Sequence, residues 1–158
     1  MPTSTDLSVV PLDTLTEGAH TLVVIGRKER LLAADVRGCL PAGAADAWDA
    51  MVESISAGDA GGSASTWLAG DGLRKVVAGV LPEPCSRHNS PARPHAVASL
   101  SAHAGGKENA AVLLAVDDAA HALAATAAVA RALPTYSRKP DEGERTVRVA
   151  LLPGAGSV

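Results

Sequence analysis

The sequence predicts an α/β domain, a mixed sheet flanked by helices on both faces. Three observations carry this. Apolar runs at 21–25, 74–81 and 111–116, and an alternating run at 145–152, read as strands. Helical patterns at 44–55, 94–102 and 119–133 fall between them. The resulting order, strands first and then strand–helix–strand–helix–strand, is that of helices laid against a sheet. Hydrophobic residues make up 47% of the chain and there is no Phe, so the core must be built from Val, Leu, Ile and closely packed Ala.

Taken in order, residues 1–5 read as a frayed start and 7–12 as a short strand. Thr21 to Ile25 is apolar on both faces, with Gly26 at its end and the basic residues Arg27, Lys28 and Arg30 beyond, expected to be a solvated edge. In the helix at 44–55, Trp48, Met51, Val52 and Ile55 are spaced i, i+3, i+4, i+7 and form one buried stripe. Residues 56–65, with Gly58, Gly61 and Gly62, read as a surface loop, and 66–69 as a short strand. Trp67 is expected to anchor the core alongside Trp48. Gly70-Asp71-Gly72 then turns the chain into Arg74 to Leu81 as a hairpin.

Pro82 opens a rigid loop that holds the densest polar group of the chain, Ser86-Arg87-His88-Asn89-Ser90. Asn89 or Ser90 can cap a helix whose first turn accepts Pro91. Gly105-Gly106 suits its other end. Asp117 and Asp118 stand at the mouth of the Ala-rich helix and suit its positive end, with His121 expected to be exposed. Pro134 stops that helix.

Composition excludes several classes of function. A formal net charge of −3 leaves no basic footprint for nucleic acid, and 2% aromatic content gives no stacking platform. Two cysteines, Cys39 and Cys85, make no disulfide framework. The start MPTSTDLSVV lacks the pattern of a secretory leader, and Ala110 to Leu133 is interrupted by Asp117, Asp118 and His121, so it fails as a membrane span. A reducing cytoplasmic setting is expected.

Several chemistry-bearing groups also admit plainer roles. Cys85, His88, His95 and His103 have zinc-ligand types, but the later histidines lie on a helix at a spacing that does not converge. Ser86 or Ser90 with His88 could be a nucleophile and base, yet there is no G-x-S-x-G elbow. Arg87 could bind an anion near a helix start. Pairing across a domain or subunit contact explains it better, and Arg87, His88 and Asn89 are the residues expected to make such a contact. No phosphate-cradling P-loop is present.

The segments RKVVAGVLPEPCSRHNSPARPHAVASL, AAVLLAVDDAAHALAATAAVARALPTYSRK and RTVRVALL resemble the N-terminal domain of the leucyl (cytosol) aminopeptidase family, in its aminopeptidase-like branch. That branch has an S-R-H-N-S-P loop after a strand, here Ser86 to Pro91, and an A-R-A-[LF]-P-x-[YF]-[ST]-[RH]-K stretch, here Ala130 to Lys139. The strand ending in Gly26 and the Val36-Arg37-Gly38 turn are similar as well. The resemblance implies a macro-domain-like mixed sheet between helices over residues 6–152, a disordered stretch at 1–5, and a linker at 153–158 leading to a catalytic domain.

In the family, two divalent metals, zinc or manganese, activate a water that attacks the peptide carbonyl. The family's N-T-D-A-E-G-R-L-like metal signature is not in this chain, so the resemblance places no catalytic or metal residue here and no cofactor. It implies a non-catalytic domain that packs on its own catalytic domain and on neighbouring subunits of a homo-hexamer, peptides being handled by the other domain. An independent macro-type module binding ADP-ribose or a related nucleotide is the alternative. A small hydrolase built on Ser86 and His88 is a weaker third.

Overall fold

The computed structural model describes residues 3–56, 58, 61–69, 72–82, 93–105, 108–133, 136–137 and 144–153. Seven strands form one sheet: β1 (Thr3–Val9), β2 (Thr21–Arg27), β3 (Gly62–Trp67), β4 (Lys75–Leu81), β5 (Ala110–Ala115), β6 (Tyr136–Ser137) and β7 (Glu144–Leu151). Their spatial order is β3-β4-β2-β5-β7-β1-β6. The five inner strands run parallel, and each edge strand is antiparallel to its neighbour.

Parallel strands covered on both faces need apolar residues at successive positions, and the sequence supplies them. Val23 and Ile25 of β2, Val112 and Leu114 of β5, and Val147 and Val149 of β7 point to one face. There they meet Val97 and Leu100 of α4 (Pro94–Ser101) and Ala125, Ala128 and Val129 of α5 (Ala122–Ala132). Leu22, Val24, Leu113 and Ala150 point to the other face. That side is covered by α1 (Lys28–Leu31), α2 (Ala34–Arg37) and α3 (Ala42–Ser54), through Leu31, Val36, Trp48 and Val52. The expected α/β architecture, a mixed sheet between helices, is the one observed.

Alanine on α5 lets that helix lie close, as a core without Phe requires. Gly26 does not end β2, which runs on to Arg27. A Cβ at Gly26 would lie 2.8 Å from the Ala115 carbonyl oxygen, so glycine is what lets β2 and β5 approach there.

Several elements depart from the sequence reading. Residues 3–5 are not frayed, because β1 begins at Thr3. Ser4 is in register with Glu144 on one side and Tyr136 on the other, and the buried Thr5 hydroxyl accepts a 3.1 Å hydrogen bond from Arg145 Nε. Residues 62–65 are strand rather than loop. Their small side chains suit an edge strand that pairs with β4 alone, Ser63 opposite Gly79 and Ser65 opposite Val77. Gly61, just before this strand, sits at φ +86°, a conformation open to glycine.

Helix α4 opens on Pro94, and its cap is Arg93 in the left-handed region at φ 50°, ψ 50°, not Asn89 or Ser90. The Val36-Arg37-Gly38 turn is the end of short helix α2.

Trp67 is no core anchor. On the outward side of edge strand β3 it is 72% exposed, with Lys75 Nζ 5.2 Å from its ring centre. An exposed cation–π pair is worth about 0.5–1 kcal/mol. Trp67→Ser is therefore expected to lower stability by no more than about 1 kcal/mol in urea unfolding followed by circular dichroism. A loss above about 2 kcal/mol would contradict this placement.

Candidate functional site

Arg87, His88 and Asn89, with Cys85, Ser86 and Ser90, fall within residues 83–92 and lie outside the described residues. The ends of that segment are described, and they flank the C-terminal ends of the central strands, where α/β proteins commonly bind ligands. Here Arg27 Nη1 and Asp117 Oδ2 lie 3.5 Å apart. Arg93 Nε donates to the Pro82 carbonyl, and His121 is half-buried. Leu81, Val97 and Leu114 fill the remaining space, leaving a cavity of about 20 Å³ among the described residues.

Asp117 is thus an ion-pair partner, and Asp118 alone caps the following helical turn, its Oδ1 accepting from the Ala120 N–H at 2.9 Å. The sequence pattern places both acids at the helix's positive end, and only Asp118 is used there.

The basic trio after β2 is not a solvated edge. Arg27 faces Asp117, and Lys28 Nζ donates to the Ile55 carbonyl at 2.9 Å, closing the end of α3. Arg30 is 7% exposed. Its Nη1 and Nη2 donate to Asp35 Oδ1 and Oδ2, both at 2.7 Å, in a two-pronged pair. The same guanidinium donates to the Val116 carbonyl at 3.3 Å and to the Leu152 and Pro153 carbonyls at 3.0 Å each. Helices α1 and α2 are therefore bound to the exits of β5 and β7. The Arg30 hydrogen bonds hold the Asp35 carboxyl below the usual carboxylate range.

Beside this clasp lies a groove of about 570 Å³. Leu22 of β2 and Leu113 of β5 line its floor; Leu12, Asp13 and Thr16 line one wall, Gly38 and Cys39 the other. Cys39 Sγ donates to the Asp35 carbonyl at 3.2 Å. Burial pushes the Cys39 thiol pKa up, and the Asp35 charge adds to that. This thiol is poorly ionised at neutral pH and is a weak nucleophile.

On the opposite face, Arg145 is 5% exposed, donating from Nε to Thr5 and from Nη1 to the Ala104 carbonyl at 2.7 Å. Burial lowers its pKa. His95 and His103 are exposed on and just after α4. Partial burial, with Lys75 next in effect, lowers the pKa of His103. Among the described residues no three His, Cys, Asp or Glu side chains converge as a metal site requires. No helix of the described residues is long and apolar enough to cross a membrane.

Leucyl aminopeptidase from Leishmania major in complex with actinonin overlays with a TM-score of 0.72 at 20% identity, covering 94% of this chain and 29% of that one. Apo leucyl aminopeptidase from Trypanosoma brucei gives 0.69 at 23%, over 98% of this chain and 34% of the other. Leucine aminopeptidase from Caenorhabditis elegans gives 0.67 at 19%, over 94% and 31%. These likenesses are of fold, and the chain spans about a third of each structure's length. No curated protein matches the sequence. The family described as M17 aminopeptidase N-terminal domain 2 matches residues 20–142, from the start of β2 to the approach to β7. That match takes in most of both cores, Arg30 with Asp35, and the 83–92 segment, and the chain belongs to this M17 aminopeptidase N-terminal domain family.

Proposed function

We propose that this chain is the non-catalytic amino-terminal domain of a leucyl-aminopeptidase-like metallo-exopeptidase of the cytoplasm. Its own work is packing against the catalytic domain and supporting assembly of the parent, a homo-hexamer in this reading. Arg87, His88 and Asn89 contribute contacts to those surfaces. The two divalent metals, zinc or manganese, and the peptide substrate belong to the catalytic domain. One observation carries the reading: family membership over 20–142 and a fold shared nearly end to end with leucyl aminopeptidases, of which the chain spans only about a third.

The test is release of leucine from a leucyl-anilide substrate with added zinc or manganese. The 158-residue chain is expected to give no turnover and the longer parent protein metal-dependent turnover. Metal-dependent hydrolysis by the 158-residue chain alone would overturn the reading.

The nucleotide-module alternative has less support. Pockets for ligands of that size run to about 300–1,000 Å³. The described residues at the strand ends leave about 20 Å³. Calorimetry with ADP-ribose decides between the two, and binding near micromolar would favour the module.

A further inference from the structure

We propose that the open edge of β3 pairs with β3 of a second copy of this chain, antiparallel and in one register. Ser65 lies on the two-fold axis opposite the partner's Ser65, and Trp67 lies opposite the partner's Ser63. The two sheets become one. The contact needs none of Arg87, His88 and Asn89, and it stands apart from the peptidase reading.

An edge strand is open to such pairing unless charge, proline, a bulge or a covering element blocks it. Strand β3, Gly-Ser-Ala-Ser-Thr-Trp, carries no charge and no proline, and its register with β4 is unbroken. Among the described residues no strand pairs with its outer side. The strand at the other edge of the sheet, β6, has only two residues.

The ladder with β4 fixes which main-chain groups face outward. Leu68 N–H donates to the Arg74 carbonyl at 2.7 Å, and Lys75 N–H turns away to the His20 carbonyl at 3.1 Å. Hydrogen-bonded and non-bonded pairs alternate along an antiparallel ladder. Gly62, Ala64 and Thr66 therefore bond to β4, and Ser63, Ser65 and Trp67 hold their N–H and C=O groups toward the open edge. A two-fold partner must set outward groups against outward groups, so one of these three residues lies on the axis. Only Ser65 there brings all three into pairs, each exchanging two hydrogen bonds.

The side chains suit the same register. Ser63, Ser65 and Trp67 are the exposed positions of β3 and share one face. The Trp67 ring has its own Lys75 on one side. On the other it meets the partner's Ser63, beyond which Gly79 stands in the adjoining strand. Both are small, so the indole gains a shelf to lie on. With Trp67 on the axis it would instead meet its own copy. No like charges face each other across the join, because Lys75 opposes Trp67 within its own chain.

The experiment is sedimentation velocity of the 158-residue chain over a concentration series. A contact of one short strand sits at the weak end of stable interfaces, so half-dimerisation is expected at about 100 µM. Of the two tryptophans, Trp48 is already fully buried, so a fall in acrylamide quenching as concentration rises reports Trp67. Ser65→Lys and Ser65→Glu each set like charges opposite one another, and each should weaken the dimer at least about fivefold. The Ser65 side chain is exposed, so both variants should keep the wild-type urea midpoint in dilute solution. An equimolar mixture of the two variants should dimerise at least as tightly as wild type.

A chain that stays monomeric to about 1 mM overturns the proposal and leaves the edge to a different chain. A dimer that neither variant weakens, or a mixture no tighter than the separate variants, places the contact elsewhere and overturns it as well. So does a monomer whose Trp67 is already shielded at the lowest concentration, which would mean that part of the chain itself covers the edge.

Discussion

Trp48→Ala is expected to lower the stability of this chain by about 3–5 kcal/mol, the usual cost of emptying a buried tryptophan site. The indole is fully buried in the core between the sheet and helices α1 to α3, against Leu31, Val36 and Val52. With no Phe in the chain and Trp67 outside, no bulkier buried side chain stands among the described residues to close the hole. The loss is not only of volume. Trp48 Nε1 donates to the Leu31 carbonyl at 2.8 Å, and Leu31 is the last residue of α1, where carbonyls have no partner within their own helix. Trp48→Phe keeps most of the ring contact and removes that donor, so it should cost about 1–3 kcal/mol. Urea unfolding followed by circular dichroism measures both, since tryptophan fluorescence changes with the substitution itself. A loss under about 1 kcal/mol for Trp48→Ala would mean that the indole does not sit in this core.

The same residue shows what the sequence made legible. Trp48, Met51, Val52 and Ile55 declare a helix stripe by spacing alone, and α3 buries Trp48 and Val52 fully. Strands β2, β4 and β5 are readable because burial on both faces forces unbroken apolar runs, and the hairpin is readable from the glycines before β4. Where the reading failed, the deciding partner was main chain or was distant. Three basic residues after a strand look solvated, because the carbonyls that hold Arg30 lie 86 to 123 positions downstream and leave no mark in the sequence.

Edge strand β3 was hidden because Gly, Ser and Ala are loop-like in composition, and only the pairing with β4 makes them strand. Trp67 misled for the opposite reason: its size suggests burial, but the alternation of β3 turns it outward. The groove beside Cys39 could not be foreseen, since Leu12, Gly38 and Leu113 are far apart in sequence and carry no shared motif. The loop at Arg87, His88 and Asn89 lies outside the described residues, so it remains an assignment of sequence alone.

Removing the Arg30 donors is the second large effect, and it separates hydrogen bonding from charge. Arg30→Met keeps the apolar stem and is expected to cost about 2–4 kcal/mol, because each buried carbonyl left without a donor costs about 1–3 kcal/mol. The Val116 carbonyl is the most enclosed of the three. Arg30→Lys restores a point charge but not the fork, so it should recover less than half of the loss. Asp35→Asn probes the other half of the pair. Its carboxylate is 44% exposed, which limits the charge contribution to about 1 kcal/mol or less.

The pH dependence follows from sign. Arg30 lowers the folded-state pKa of Asp35 below its unfolded value of about 3.9. The unfolded chain therefore binds that proton first as the pH falls. The stabilisation is fully present above about pH 4–5 and disappears as the pH drops through the lowered folded value. Wild type and Asp35→Asn should accordingly differ at pH 7 and converge as the pH falls through the lowered folded value, whereas the Arg30→Met deficit persists there, because neutral carbonyls do not titrate. Urea midpoints at pH 7 and below that value measure this directly. A deficit for Arg30→Met that vanished together with that of Asp35→Asn would show that the clasp acts through charge alone, and that the carbonyls of Val116, Leu152 and Pro153 do not depend on Arg30.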